Sequence, residues 1–286
     1  MTRRNIALAL AAVLLLAGPL TVAWMMQPDA SAGPCTLVSG PVLLPEIPEA
    51  SGLAVSVHNP GLFWSHNDSG SAAVLFAFDS AGAVRARVRV PIPTRDWEDI
   101  SAARCASGDC LYIADIGDNR RVRRQVQIYR LPEPAAGDAN TASPDVFNAT
   151  YPDGPHDAEA MFVVDASVFV ITKDRTGIVY RATMTPSGGG ELRFQPIAQL
   201  GLAAVTDAEA SRDGAFVVVR TSREAVVYRT ADLTRSVSTP HFRVRIDGLR
   251  EPQGEGIALD GKMLYLSSEG GPATRAGRFM SLRCEM

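Results

Sequence analysis

Five short segments of the chain carry an oxygen-bearing side chain at a matching place. They are Glu49-Ala50-Ser51-Gly52-Leu53, Asp96-Trp97-Glu98-Asp99-Ile100, Asp157-Ala158-Glu159-Ala160-Met161, Asp207-Ala208-Glu209-Ala210-Ser211 and Gln253-Gly254-Glu255-Gly256-Ile257. Aligned on the third residue they give Ser51, Glu98, Glu159, Glu209 and Glu255; two residues earlier stand Glu49, Asp96, Asp157, Asp207 and Gln253. Acids gathered in one place raise one another's pKa, and some protonate unless a cation neutralises them. Carboxylate and hydroxyl oxygens are hard ligands, suited to Ca²⁺ rather than to zinc or copper. The expected chemistry is a calcium ion held, directly or through water, by Ser51, Glu98, Glu159, Glu209 and Glu255. In the competing reading these acids only cap strand starts and accept backbone N–H groups.

The intervals between the aligned residues are 47, 61, 50 and 46, and the stretch after each segment repeats as well. Second strands rich in Val, Ile and aromatics are expected at 62–64, 111–113, 168–171, 216–219 and 263–266, and third strands at 74–78, 126–129, 178–180, 225–228 and 278–282. A more polar fourth strand closes four of the units, at 84–90, 147–151, 192–197 and 242–246. Four antiparallel strands repeated about every 50 residues mark an all-β fold, the β-propeller. The fifth unit runs out of chain after three strands, at Cys284, and the segment from Cys35 to Leu44 has no other home. The expectation is therefore five blades closed by the N-terminal strand. Six blades is the alternative, if 120–148 holds a further unit. In such a ring the first strands line the channel, and the two aligned sets form stacked rings because alternate residues share a face. Second strands return to the same mouth and bring His66, Asp68, Asp115, Lys173, Arg220 and Glu269 to its rim.

Several of these rim residues admit two roles. Lys173 and Arg220 either hold a phosphate or carboxylate beside the metal or pair with Asp174 or Glu209. His66 is either a general base or a hydrogen-bonded rim residue, and His156 poses the same choice. The Arg120–Arg124 cluster is either a surface for anions or a solvated loop. The four cysteines, Cys35, Cys105, Cys110 and Cys284, allow three pairings. Cys105 and Cys110 flank the turn-forming Ala-Ser-Gly-Asp, and the closing strand would set Cys35 beside Cys284.

The Ser/Glu-per-blade pattern resembles the five-bladed calcium-dependent apyrases, secreted or lumenal nucleotidases. The resemblance implies that each inner strand offers one Ser or Glu to an axial Ca²⁺. Ser51, Glu98, Glu159 and Glu255 match that order by type, whereas Glu209 falls where the family has a Ser. Trp97-Glu98-Asp99-Ile100 and Gly254-Glu255-Gly256-Ile257 are also similar to the esterase-like phytase propellers of bacteria. Asp115-Ile116-Gly117-Asp118-Asn119 and Tyr151-Pro152-Asp153-Gly154-Pro155 resemble exported bacterial propellers, a likeness that implies no activity. The resemblance does not extend to the apyrase substrate-binding residues.

Composition sets the outer bounds. The 286 residues are 46% hydrophobic and 21% charged, which excludes a disordered chain. A net charge of −3 supplies no basic footprint for nucleic acid. Arg3 and Arg4, the apolar run from Ile6 to Met26, and Ala30-Ser31-Ala32 read as an export signal over 1–32. The run is long enough to be an uncleaved anchor instead. The remainder, 33–286, is expected to be a single propeller domain, secreted or in the periplasm or cell envelope, touching membrane only if the leader stays. A monomeric calcium-binding module for a small molecule or protein is the expected function. The alternative is a Ca²⁺-dependent hydrolase of phosphoesters or phosphoanhydrides, and a glycosidase using two ring carboxylates is a third.

Overall fold

Segments rich in β-branched and aromatic residues form twenty-one strands among the described residues, and their hydrogen bonds group them into five sheets. The computed structural model describes residues 35–285 except 69 and 138–142. The export segment expected over 1–32 lies outside the described residues. After β1 (Cys35–Leu44), the first blade is β2 (Ala50–Val55), β3 (Leu62–Asn67), β4 (Val74–Asp79) and β5 (Val84–Arg89). The second is β6 (Trp97–Cys105), β7 (Gly108–Asp115), β8 (Val126–Pro132) and β9 (Asp145–Thr150). The third holds β10 (Ala158–Val164), β11 (Ser167–Thr172) and β12 (Ile178–Thr183); β13 (Gly190–Arg193) and β14 (Gln195–Gln199) come next. The fourth is β15 (Val205–Ala210), β16 (Phe216–Thr221), β17 (Glu224–Arg229) and β18 (Phe242–Arg245), and the fifth is β19 (Gln253–Asp260), β20 (Met263–Glu269) and β21 (Gly277–Cys284).

The chain is a five-bladed β-propeller. Its inner strands touch in the cyclic order β2, β6, β10, β15, β19 and back to β2. The segment 120–148 supplies the third and fourth strands of blade two, so it adds no sixth blade. The fifth blade is completed by β1, which pairs antiparallel with β21 from Cys35↔Cys284 to Leu44↔Gly277. Disulfides join Cys35 to Cys284 and Cys105 to Cys110. The single strand expected at 192–197 is two strands. β14 completes blade three against β12, whereas β13 runs parallel to β9 and covers the outer edge of blade two. Gly189 makes that approach possible, because a Cβ there would collide with the Val146 carbonyl.

Apolar burial is divided among five seams, one at each junction between neighbouring blades. Phe162 and Phe169 stack at 4.5 Å in the seam between blades three and four. Phe63, Phe78 and Phe279 cluster where blade five meets blade one. A polar staple reinforces the junction of blades one and two. Buried Glu133 accepts Trp64 Nε1 at 2.8 Å, the amides of Val57 and His58, and the Ser56 hydroxyl. Among the described residues no helix is long and apolar enough to cross a membrane.

Candidate functional site: the carboxylate-lined channel mouth

Each inner strand begins at the mouth and bulges there. The register with its neighbour slips at Glu98 in β6, Glu159 in β10, Thr206 in β15 and Glu255 in β19, and between Ser51 and Ala54 in β2. A bulge re-aims a side chain at the cost of one ladder pair, and bulges of this kind favour functional sites. Two sets of hydrogen bonds verify the equivalence. Ser51 donates its hydroxyl to the Glu98 carbonyl at 2.8 Å, and Thr206 donates to the Glu255 carbonyl at 3.1 Å. One residue on, Asp99 accepts Met161 N at 2.6 Å and Asp207 accepts Ile257 N at 2.5 Å. The fourth member of the ring is thus Thr206, not Glu209, and the second-ring position two residues earlier is Ala204, not Asp207. The intervals become 47, 61, 47 and 49. Asp207-Ala208-Glu209 mimics Asp157-Ala158-Glu159 in sequence but sits three residues further along its strand.

The structure gathers the remaining mouth acids. Ligand oxygens of Asp68, Asp96 and Glu98 lie within 4.8 Å of one another. Burial, then the charges of Glu159, Asp68 and Asp96, pushes Glu98 up to about 11. Glu159 rises to about 8, chiefly by burial, although Lys173 Nζ donates to it and pulls the other way. Burial with Glu255, Asp68 and Glu49 raises Glu269 to about 7, and burial raises Glu255. Gln253 Nε2 bridges Glu255 at 2.7 Å and Glu269 at 2.9 Å. Asp157 accepts the amide of Asp118 at 2.9 Å, and Ser71 donates to Glu49 at 3.3 Å. Gly117 gives Asp96 and Glu98 their room, since a Cβ there would strike both. The donor set fits a hard divalent cation: Ca²⁺ takes oxygens about 2.3–2.6 Å away, so ligands on opposite sides stand about 4.6–5.2 Å apart.

Below this ring, carboxyl groups reach across the axis between blades two and four. Asp99 and Asp207, from blades two and four, face one another, and burial holds both carboxyls well above the usual range. Glu209 reaches across the axis from blade four to accept Ser101 Oγ and the Ala102 amide on blade two, and burial raises it too. Asp207 and Glu209 are therefore bolts across the axis, beneath the mouth.

The rim residues divide. His66 is fully buried, donates Nδ1–H to the Asn67 carbonyl at 3.0 Å and meets Trp97 edge-on, and burial lowers its pKa. It is a neutral core imidazole with no exposed surface. Asp115 is buried in an ion pair with Arg123 at 2.7 Å and accepts the amides of Arg95 and Asp96. Lys173 pairs with Glu159, and Arg220 with Glu251, so neither expected partner, Asp174 or Glu209, is used. Arg220 has no exposure and also donates to the carbonyls of Gly256 at 2.7 Å and Ser267 at 3.2 Å. His156 bonds Asp153 at 3.0 Å and Tyr180 at 2.9 Å in a surface cluster. Sequence reasoning missed Glu251 and Arg175, which line cavities at the mouth, whereas Arg121, which lines one of them, belongs to the Arg120–Arg124 cluster weighed as a surface for anions. Loops supply all three, outside the repeated segments, so no internal alignment marks them.

Fold and mouth together define a β-propeller with a polar, carboxylate-lined opening. No protein-family model matches the chain, and no curated protein is similar to it. Among solved structures it is similar to the major allergen Mala s 1 of Malassezia sympodialis, with a TM-score of 0.57, 8% identity, and coverage of 86% of this chain and 96% of that one. The Dos1 propeller overlaps at a TM-score of 0.39 and 12% identity, over 77% of this chain and 53% of that one. Hydrazine synthase of Kuenenia stuttgartiensis overlaps at 0.35 and 13%, over 81% and 59%. At 8% identity the likeness to the allergen concerns the fold alone.

Proposed function

We propose that this protein is an exported calcium-binding module whose channel mouth receives its ligand. The observation that carries the reading is the convergence of Asp68, Asp96 and Glu98 within 4.8 Å, with Glu159 close enough for its charge to act on Glu98 and Asp68 close enough to act on Glu255. Thr206 adds a hydroxyl where the apyrase resemblance implies a Ser. Two disulfides suit an oxidising compartment outside the cytoplasm. Bound calcium would balance the acids and offer open coordination sites to a ligand's oxygens. The protein's own part is to fix the carboxylates on its inner strands and hold Lys173 against Glu159.

Thermal melting tests this. Calcium at about 100 times its dissociation constant adds about 2.7 kcal/mol to stability. Glu98→Gln and Asp96→Asn should each weaken that gain. Identical melting in calcium and in chelator would overturn the reading. A hydrolase of phosphoesters is the second reading, favoured by a cavity of about 540 Å³ lined by Arg121, Lys173 and Arg175 beside the acids. Phosphate release from simple phosphoesters, absent in Glu159→Gln, separates the two.

A further inference from the structure

Two cavities flank Lys173 and Ala204 at the mouth and share both residues. The first, of about 350 Å³, is lined by Glu251 and Glu255 among others, and the second, of about 540 Å³, by Arg121 and Arg175. Their chemistry is opposite. In the first, Glu255 Oε1 accepts Gln253 Nε2 and its other oxygen makes no hydrogen bond among the described residues. Glu251 Oε2 accepts the Arg220 guanidinium, while Oε1 is buried without a partner. Such an orphaned acceptor carries a desolvation cost that a ligand donor would offset. Because Arg220 already balances the charge of Glu251, the capacity left there is for hydrogen bonding, and a hydroxyl meets it better than an ammonium. The cavity lies at the small end of the range for small-molecule sites.

The second cavity is cationic. Asp174 is its one acidic lining residue among the described residues, and that carboxylate is consumed by its own turn, accepting Thr176 N at 2.7 Å, Thr176 Oγ1 at 2.9 Å and Gly177 N at 2.9 Å. Arg121 and Arg175 are exposed and make no ion pair among the described residues. Arg121 and Ala204 also hold left-handed backbones, with φ of 52° and 53°. Such conformations are unfavourable for L-residues, and these outliers cluster at ligand sites.

We propose that the two cavities together bind a monosaccharide-sized polyol bearing an anionic group, with its hydroxyls on Glu251 and Glu255 and its anion between Arg121 and Arg175. The proposal rests on the reading of the mouth as a ligand site but not on calcium. Calorimetric titration with glucuronate, glucose 6-phosphate and glucose, each in calcium and in chelator, tests it. At least one anionic sugar should bind, about tenfold or more tighter than glucose, and the tighter of the two assigns the anion as carboxylate or phosphate. Arg121→Ala with Arg175→Ala, both on the surface, should remove about tenfold of that affinity with no change in melting temperature. Glu251→Gln should weaken glucose and the acids alike. Absence of heat from both anionic sugars, glucose binding as tightly as they do, or unchanged affinity in the double arginine variant would each overturn the proposal. A calcium-dependent rise in melting without sugar binding would sink this inference and leave the calcium reading standing; the converse would do the reverse.

Discussion

Where three blades offer a carboxylate and one a serine, Thr206 offers a hydroxyl, and that residue tests how the ring is built. Its side chain ties blade four to blade five through the carbonyls of Gly254 and Glu255. Thr206→Val keeps the shape and removes the donor, and should cost about 1 kcal/mol in denaturant unfolding. Glu209→Gln should instead disturb the bolt on Ser101 and Ala102 and leave the calcium response in place. The acids make a second prediction. Glu159 and Glu269 bind protons more tightly folded than unfolded, with pKa values of about 8 and 7 against an ordinary 4.5. The stability they carry is complete below the ordinary carboxylate range and is lost as pH rises through about 7–8. Metal-free protein should therefore melt higher at about pH 5.5 than at about pH 8.5, and calcium, which needs the deprotonated acids, should shrink or invert that difference. A metal-free melting temperature that climbs over this range would contradict the assignment.

At the level of strands, most of the architecture was written in the residue pattern. The five inner strands, the returning second strands and the closure by Cys35–Leu44 arise from hydrophobic runs at a repeated interval. The features the pattern hid were local. Asp207-Ala208-Glu209 looks like its neighbours, yet β15 bulges at Thr206, and only the ladder slip and the Asp207–Ile257 bond expose the shift. A bulge changes which face a side chain takes without changing composition, so alternation alone cannot locate it. The splitting of 192–197 into β13 and β14 was hidden for a related reason, because an edge strand is chosen by the neighbour it covers. Closure has its own test. The Cys35–Cys284 bond spans 249 residues, and the chain-entropy model assigns such a loop about 5.5 kcal/mol, against about 2 kcal/mol for the five-residue Cys105–Cys110 link. Cys35→Ser with Cys284→Ser should lower the denaturant midpoint well beyond the Cys105→Ser, Cys110→Ser pair. Equal losses would mean that strand pairing alone seals the ring.

For the molecule as a whole, five separate apolar seams leave the axis to polar groups. Stability resides between blades, whereas the mouth can carry charge that no seam depends on. If the mouth holds calcium as proposed, chelation should then lower the melting temperature without opening the ring, so far-ultraviolet dichroism stays unchanged below the transition. The strand register also fixes an orientation. β1 pairs with β21 so that Leu44 lies near the mouth beside Gly277, and Cys35 lies on the far face beside Cys284. The polypeptide thus enters the ring from underneath. Any tether joined ahead of Cys35 would fasten the disc by its back, with the opening turned away from its support and free to meet what arrives from solution.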